Sequence, residues 1–441
     1  MSGQVEPIGN TGNLLRQRRF LPLFITQFLG ALNDNVIKNA MVVLLTFQAA
    51  SWTTLTPGLL ANLAAGIFIL PFFLFSATAG QLADKYDKAQ LARLVKLLEI
   101  IIVLVAGVGF MARRIEILFA ALFLLGLHST LFGPIKYAIL PQHLQAGELV
   151  GGNALVEAGT FIAILGGALL GGLLAAVPGA TIWITLAGLL IASSGYFAAR
   201  FIPAAVPPAP TLRVSRNPLA ETWRNLAAAH KNRPAFAAIL GISWFWLYGA
   251  LFLAQFPAYA KNILGGDATG VTLLIAAFIT GTGAGSLLCA RLSRHNPARS
   301  LALVLPGSLG LSVFAFDLYF ASPAPPMPGA AMHAFALLHA PGIWRVLADL
   351  TLLGLCGGLF SVPLYTLLQQ RSSVDHRARM MAANNICNAL FMVVGALSAA
   401  ALLSGGLSIP QLFGLAALCN AALCIVGARC LSELRRKGGG G

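Results

Sequence analysis

Twelve long apolar runs, each bounded by turn residues or clustered charge, constrain this chain more than any other feature. They lie near 20–49, 55–83, 90–111, 116–141, 148–177, 180–200, 235–261, 268–291, 299–321, 343–369, 380–404 and 408–430. About 20 apolar residues in a helix cross the hydrocarbon core of a bilayer, and each run meets that length. The sequence does not show the ten-residue alternation of an outer-membrane barrel. With 58% hydrophobic and 10% charged residues and a mean hydropathy of +0.80, there is too little polar surface to cover a soluble globule. The expected fold is an all-α integral membrane protein. The first run carries Asp34 and no small-residue cleavage pattern follows it, so it reads as a span rather than a cleaved signal.

The net charge of +15 raises the question of nucleic acid, and the placement of that charge answers it. If the N-terminus is cytoplasmic, 22 of the 29 Lys and Arg fall in cytoplasmic segments, four fall outside, and Lys38, Lys96 and Lys136 lie within helices. This asymmetry is the positive-inside rule, so a multi-pass protein with both termini cytoplasmic is expected, and no nucleic-acid partner. Trp52, Trp183 and Trp344 fall at outer helix ends, where an aromatic belt belongs. The six cysteines lie in or at the ends of helices without a C-x-x-C pair and read as buried small hydrophobes. No metal site and no cofactor is expected. The glycines 438–441 read as an appendage to the fold.

The stretch LLGLHSTLFGPIKYAILPQ (124–142) matches LLGLCGGLFSVPLYTLLQQ (352–370) at nine of nineteen positions, with a constant offset of 228. Helix 4 is thus repeated as helix 10, and Asn153-x-x-x-Glu157 lines up with Asn384-x-x-x-Asn388. Two parallel six-helix halves follow, an arrangement in which substrate binds near the midplane and the halves rock. The expected divisions are an N-tail 1–19, a half 20–200, a linker 201–234, a half 235–430 and a C-tail 431–441. In the linker, Asn217 and Pro218 read as N-cap and first turn of a short helix carrying Leu219, Trp223 and Leu226 on the membrane surface. A second interfacial helix is expected near 330–340, after the Pro-rich SPAPPMPG.

Embedded polar residues mark the candidate site, since a central charge costs roughly 2.5–3.5 kcal/mol on insertion scales. In FLGALNDNVIKNAMVVLL (28–45), Asp34 and Lys38 stand one turn apart and can pair; the flanking Asn33 and Asn35 suit a polar cavity wall better than a lipid-facing pair. Lys136 and Glu157 fall at similar depth on neighbouring helices and read either as a structural pair or as headgroup and gate residues, beside Tyr137 and Asn153. Lys96 and Glu99 read as a structural pair, and His128 as a packing residue ahead of a proton relay. The second half offers Trp244, Phe245, Trp246, Tyr248, Tyr365, Asn384 and Asn388. One wall is polar and charge-balanced and the other aromatic, which suits a zwitterionic headgroup bearing one acyl chain.

GQLADKYDKAQLAR (80–93) resembles motif A of the major facilitator superfamily, with Gly80, Leu82, Asp84, Lys85 and Lys88 in pattern and Asp87 where the family usually has glycine. The resemblance implies that Asp84 latches neighbouring helix ends in one conformation, with Gly80, Lys85 and Lys88 as gating residues; the alternative is a solvated charge run that only orients the chain. Together with the 28–45 stretch, FGPIKYAIL (132–140) and GNALVEAGTFIAILGG (152–167), the set resembles the bacterial lysophospholipid transporter family of that superfamily. This implies a facilitator fold, movement of lysophospholipids such as lysophosphatidylethanolamine from the outer to the inner leaflet of the bacterial inner membrane for reacylation, and a separate cytoplasmic acyltransferase or acyl-carrier-protein synthetase as partner. The resemblance also favours headgroup and gate roles for Lys136 and Glu157. Two other readings stand beside it: a proton- or sodium-coupled exporter of amphiphilic drugs with Asp34 as the titrating group, and a membrane scaffold for an acyltransferase. The His-x4-Asp, G-x-S-x-G and P-loop patterns do not occur, so no enzyme is expected.

Overall fold

The computed structural model describes residues 11–48, 52, 57–294, 296–324 and 331–438. Twelve long helices run through them: α1 Leu21–Gln48, α2 Pro57–Lys85, α3 Lys88–Ala112, α4 Ile115–Ala138, α5 Leu149–Ala176, α6 Ala180–Ala199, α7 Arg233–Asn262, α8 Ala268–Leu292, α9 Val304–Ala321, α10 Ile343–Arg371, α11 Arg377–Ser404 and α12 Ile409–Gly438. Among the described residues, eleven spans are long and apolar enough to cross a membrane, and α12 adds a shorter apolar stretch, Ile409–Ile425. These helices match the twelve apolar runs.

The chain forms two compact units: Met1–Phe236 with Leu368–Ala389, and Ala237–Leu367 with Leu390–Gly441. The sequence repeat suggests a break within the linker, yet the end of α10 and the start of α11 cluster with the first unit. In that unit α1 packs on α5 and α6, α2 on α4, and α3 on α4 and α6. Small residues let the backbones approach: a Cβ at Gly167 would lie 2.6 Å from the Leu32 carbonyl oxygen. Helix α3 shows how the site is aimed. Leu94, Leu97, Ile101, Leu104 and Val108 form an exposed stripe at helical spacing, while Lys96, Glu99, Ile102, Val103 and Ala106 are buried on the other side. The lipid-compatible face is the outer one, so the charges point into the bundle.

In the second unit α9 packs on α12, and Gly281 and Gly285 of α8 face backbone of α10, where Gly354 and Gly358 reciprocate. Two small-xxx-small pairs thus meet.

The linker carries the expected helix, Pro218–Lys231, with the Asn217 side chain accepting from Ala220 N at 3.0 Å. Leu219 and Trp223 are exposed, and Glu221, Asn225 and Ala229 are buried, with α2 as the packing partner. The second interfacial helix is only one turn, Ala334–Leu337; the prolines at 325–330, the Cys430 side chain and the glycines beyond 438 lie outside the described residues. Cys289, Cys356, Cys387 and Cys424 are buried as expected, whereas Cys419 is exposed.

Candidate functional site

Asp34 is the centre of a buried polar cluster built from three helices. Its carboxylate accepts from Ser129 Oγ of α4, and its Oδ1 lies 3.6 Å from His128 Nδ1. The other nitrogen of that ring, Nε2, is 3.3 Å from Glu99 Oε2 of α3. Glu99 also pairs with Lys96 one turn away and accepts from Asn33 Nδ2 at 2.7 Å. Lys96 and Glu99 are fully buried, and Asp34 retains 8% exposure. His128 therefore stands between a fully buried carboxylate and one that keeps a small exposed area.

The Asp34–Lys38 pair that the one-turn spacing allows does not close. Lys38 Nζ instead lies over the Phe68 ring, 5.1 Å from its centroid, a cation–π contact. Asn35 bonds back to the Ala31 carbonyl at 2.8 Å, a local use of its amide rather than a bond across the bundle. Lys136 and Glu157 also fail to pair: Glu157 accepts from Tyr137 OH, and the Lys136 ammonium lies 4.8 Å from the Tyr137 ring centroid. Tyr137 takes the carboxylate that similar depth in the membrane suggests for the lysine. Both glutamate and lysine nevertheless remain on facing parts of α4 and α5, with Glu157 fully buried.

Asp84, also fully buried, grips the start of α11. It accepts from Ala378 N at 3.0 Å, Arg379 N at 3.2 Å and Arg379 Nε at 3.1 Å. A helix N-terminus offers free N–H groups and positive dipole charge, so it is a natural seat for a carboxylate. Gly80 lets the helices meet, since a Cβ there would lie 2.8 Å from Ala382 Cβ. Lys88 is buried beside this carboxylate, whereas Lys85 turns to the Tyr86 ring, 5.5 Å from its centroid. Asp87 N-caps α3, accepting from Ala89 N at 2.7 Å, with φ −60°, so the turn needs no glycine. A second clasp lies alongside: Asn153 and Gln369 exchange amide hydrogen bonds of 2.7 and 3.0 Å, and Gln369 also donates to the Tyr137 carbonyl. Asn153 thus bonds to the end of α10 rather than within the Asp34 cluster, and Asn384, near the start of α11, is also buried. Asn388, one turn on, is half-buried.

The aromatics of the second unit do not form one wall. Trp244 donates to Asn420 at 2.8 Å, and Asn420 is tied in turn to Ser308 and Ser312 of α9. Trp246, two residues on and so on another face, donates to Tyr365 OH at 2.9 Å. Phe245 and Tyr248 are buried.

Sequence reasoning missed the convergence of Glu99, His128 and Ser129 on Asn33 and Asp34. A usable signal lay in the glycines: a Cβ at Gly195 would lie 2.6 Å from Lys96 Cε, and one at Gly30 would lie 3.3 Å from its Nζ. Buried lysine among helix glycines marks an interior charge.

Residues 23–338 match the family model described as Major Facilitator Superfamily. The chain is similar to the "Lysophospholipid transporter LplT" of Serratia proteamaculans (strain 568), 27% identical over 373 residues, 83% of this chain and 84% of that one. The protein of the same name from Pectobacterium carotovorum subsp. carotovorum (strain PC1) is 27% identical over 392 residues, covering 85% and 83%. Among solved structures, the human organic anion transporter MFSD10 aligns with a TM-score of 0.71 at 14% identity over 92% of this chain and 99% of that one. A variant of the Escherichia coli fucose:proton symporter FucP aligns at 0.66 and 15% identity, over 93% and 98%. At these identities the structures speak to the fold alone.

Proposed function

The chain belongs to the Major Facilitator Superfamily, and from that premise we propose that it carries lysophospholipids such as lysophosphatidylethanolamine from the outer to the inner leaflet of the bacterial inner membrane, by alternating access. It acts as a carrier rather than an enzyme, has both termini in the cytoplasm, and hands its cargo to a separate cytoplasmic acyltransferase. The observation that carries this reading is the Asp34 site: a carboxylate with 8% exposure, the less buried of the two in its cluster, with the ammonium groups of Lys38 and Lys136 held on aromatic rings nearby rather than locked in ion pairs. A zwitterionic headgroup supplies the complement, its cationic end at Asp34 and its phosphate at Lys38 or Lys136, with the acyl chain left to apolar surroundings. The names of the relatives favour this cargo over amphiphilic drugs and over a scaffold role. Asp84 and its partners at the start of α11 are the gate, made in one conformation and broken in the other.

Uptake of labelled lysophosphatidylethanolamine into vesicles that contain only the purified protein tests this reading. Uptake above that of empty vesicles is expected; none, from protein shown to be folded, would remove the carrier role.

A further inference from the structure

The contacts of His128 are not explained by holding a headgroup. Its ring bridges two carboxylates on two other helices, Asp34 on α1 and Glu99 on α3, at 3.6 and 3.3 Å, and neither nitrogen closes a hydrogen bond. Glu99 is fully buried and already has Lys96; Asp34 keeps 8% exposure. We infer that Glu99, His128 and Asp34 form a proton-binding site that gives up its proton when a substrate cation takes Asp34. This rests on the headgroup reading above.

The argument is one of charge in a medium that tolerates little of it unpaired. In direct contact are two carboxylates, one ammonium and the imidazole. A neutral ring leaves Asp34 with no cation in direct contact, whereas an imidazolium directs an N–H toward each carboxylate. An incoming ammonium at Asp34 supplies the same charge from outside. The ring then loses the proton on Nδ1 to water, the N–H bond breaking and the electron pair staying on nitrogen, and the balance is restored. Asp34 is the less deeply buried of the two carboxylates, at 8% exposure against 0% for Glu99, so it is the one a substrate cation meets first.

Two other ammonium groups, those of Lys38 and Lys136, act on Asp34 through space but do not touch it. On α1, Lys38 lies over Phe68 of α2; on α4, Lys136 lies over Tyr137, and Glu157 of α5 accepts from that tyrosine. Helix α6 presents glycines, Gly188 beside the Asn33 side chain and Gly195 beside Lys96. An imidazole ordinarily titrates near pH 6.5, within reach of ordinary conditions.

The test uses the purified full chain in detergent with lysophosphatidylethanolamine, whose own ammonium and phosphodiester keep their charges between about pH 5 and about pH 8. Binding in weakly buffered solution with a pH dye is expected to release up to about one proton per protein, and affinity to fall as pH falls, by as much as about tenfold per pH unit. His128→Gln is expected to bind without release and with a flat pH profile; Glu99→Gln serves if that variant does not fold. Binding by the wild-type protein with no proton exchange and no pH dependence overturns the inference while leaving the carrier reading in place. Full pH dependence in His128→Gln overturns it as well, because the proton then sits elsewhere. Absence of binding at every pH removes the headgroup reading and this inference with it.

Discussion

Helices α4 and α10 are copies of one sequence in two chemical settings. Both begin at equivalent residues, Ile115 and Ile343, and both carry the matched tyrosine, Tyr137 and Tyr365. In α4 that tyrosine donates to the buried Glu157, and one face of the helix carries His128 and Ser129 toward Asp34. In α10 the tyrosine accepts from Trp246, and Cys356 and Gly357 replace the histidine and serine. Even the helix ends differ for a local reason. After α4 ends at Ala138, Pro141 sits in the first turn of a separate short helix, Leu140–His143, whereas its counterpart Gln369 lies inside α10, which runs on to Arg371 and reaches Asn153. Within the matched segments, 124–142 and 352–370, one copy holds ionisable groups and the other holds apolar packing and a clasp. The same backbone unit thus meets an ionisable cluster in one case and a tryptophan and an amide partner in the other.

The comparison can be broken most forcefully at Lys96. Removing this ammonium leaves Glu99 buried without its ion-pair partner, so Lys96→Met is expected to cost about 3–5 kcal/mol of stability, and Lys96→Met with Glu99→Gln to recover much of it. Thermal unfolding in detergent measures both; equal loss in the single and double variants would mean the pair does not act as a unit. The matched tyrosines come next. Tyr137→Phe strips a donor from a buried carboxylate and is expected to cost about 1.5–3 kcal/mol, whereas Tyr365→Phe loses a neutral hydrogen bond worth about 0.5–1.5 kcal/mol. Equal losses would erase the proposed difference between the copies.

Asp84→Asn keeps the size of the gate residue but removes its charge. It is expected to loosen the grip on α11 by on the order of 1–2 kcal/mol, read as increased labelling of cysteines placed near Ala382, with substrate affinity in the favoured state unchanged. Unaltered labelling would leave Asp84 without a latching role.

The twelve helices are legible because apolar length alone dictates them, and the linker helix because Asn217 and Pro218 supply a local cap. Much of the site is not, and the residues show why. Spacing along α1 puts Lys38 one turn from Asp34, but the lysine's long stem reaches Phe68 instead, and nothing local to the sequence records that choice. Asn153 finds its partner 216 residues away at Gln369, a pairing set by how helices pack rather than by any pattern near either residue. The motif A aspartate is readable as a latch from its resemblance, while its partners, the free N–H groups opening α11, emerge only from the fold. His128 reads first as a packing residue because a single-helix view shows one side of it; its two carboxylates come from two other helices.

The central claim is that Asp34 of α1, toward which the α4 copy turns His128 and Ser129, holds the cationic end of the substrate. Its most direct test is the affinity of purified Asp34→Asn for lysophosphatidylethanolamine beside that of the unaltered protein. A desolvated charge-assisted hydrogen bond worth roughly 1.5–3 kcal/mol predicts a loss of tenfold or more with the fold intact, since a neutral amide is easier to bury than a carboxylate. Unchanged affinity in a folded Asp34→Asn protein would contradict the account.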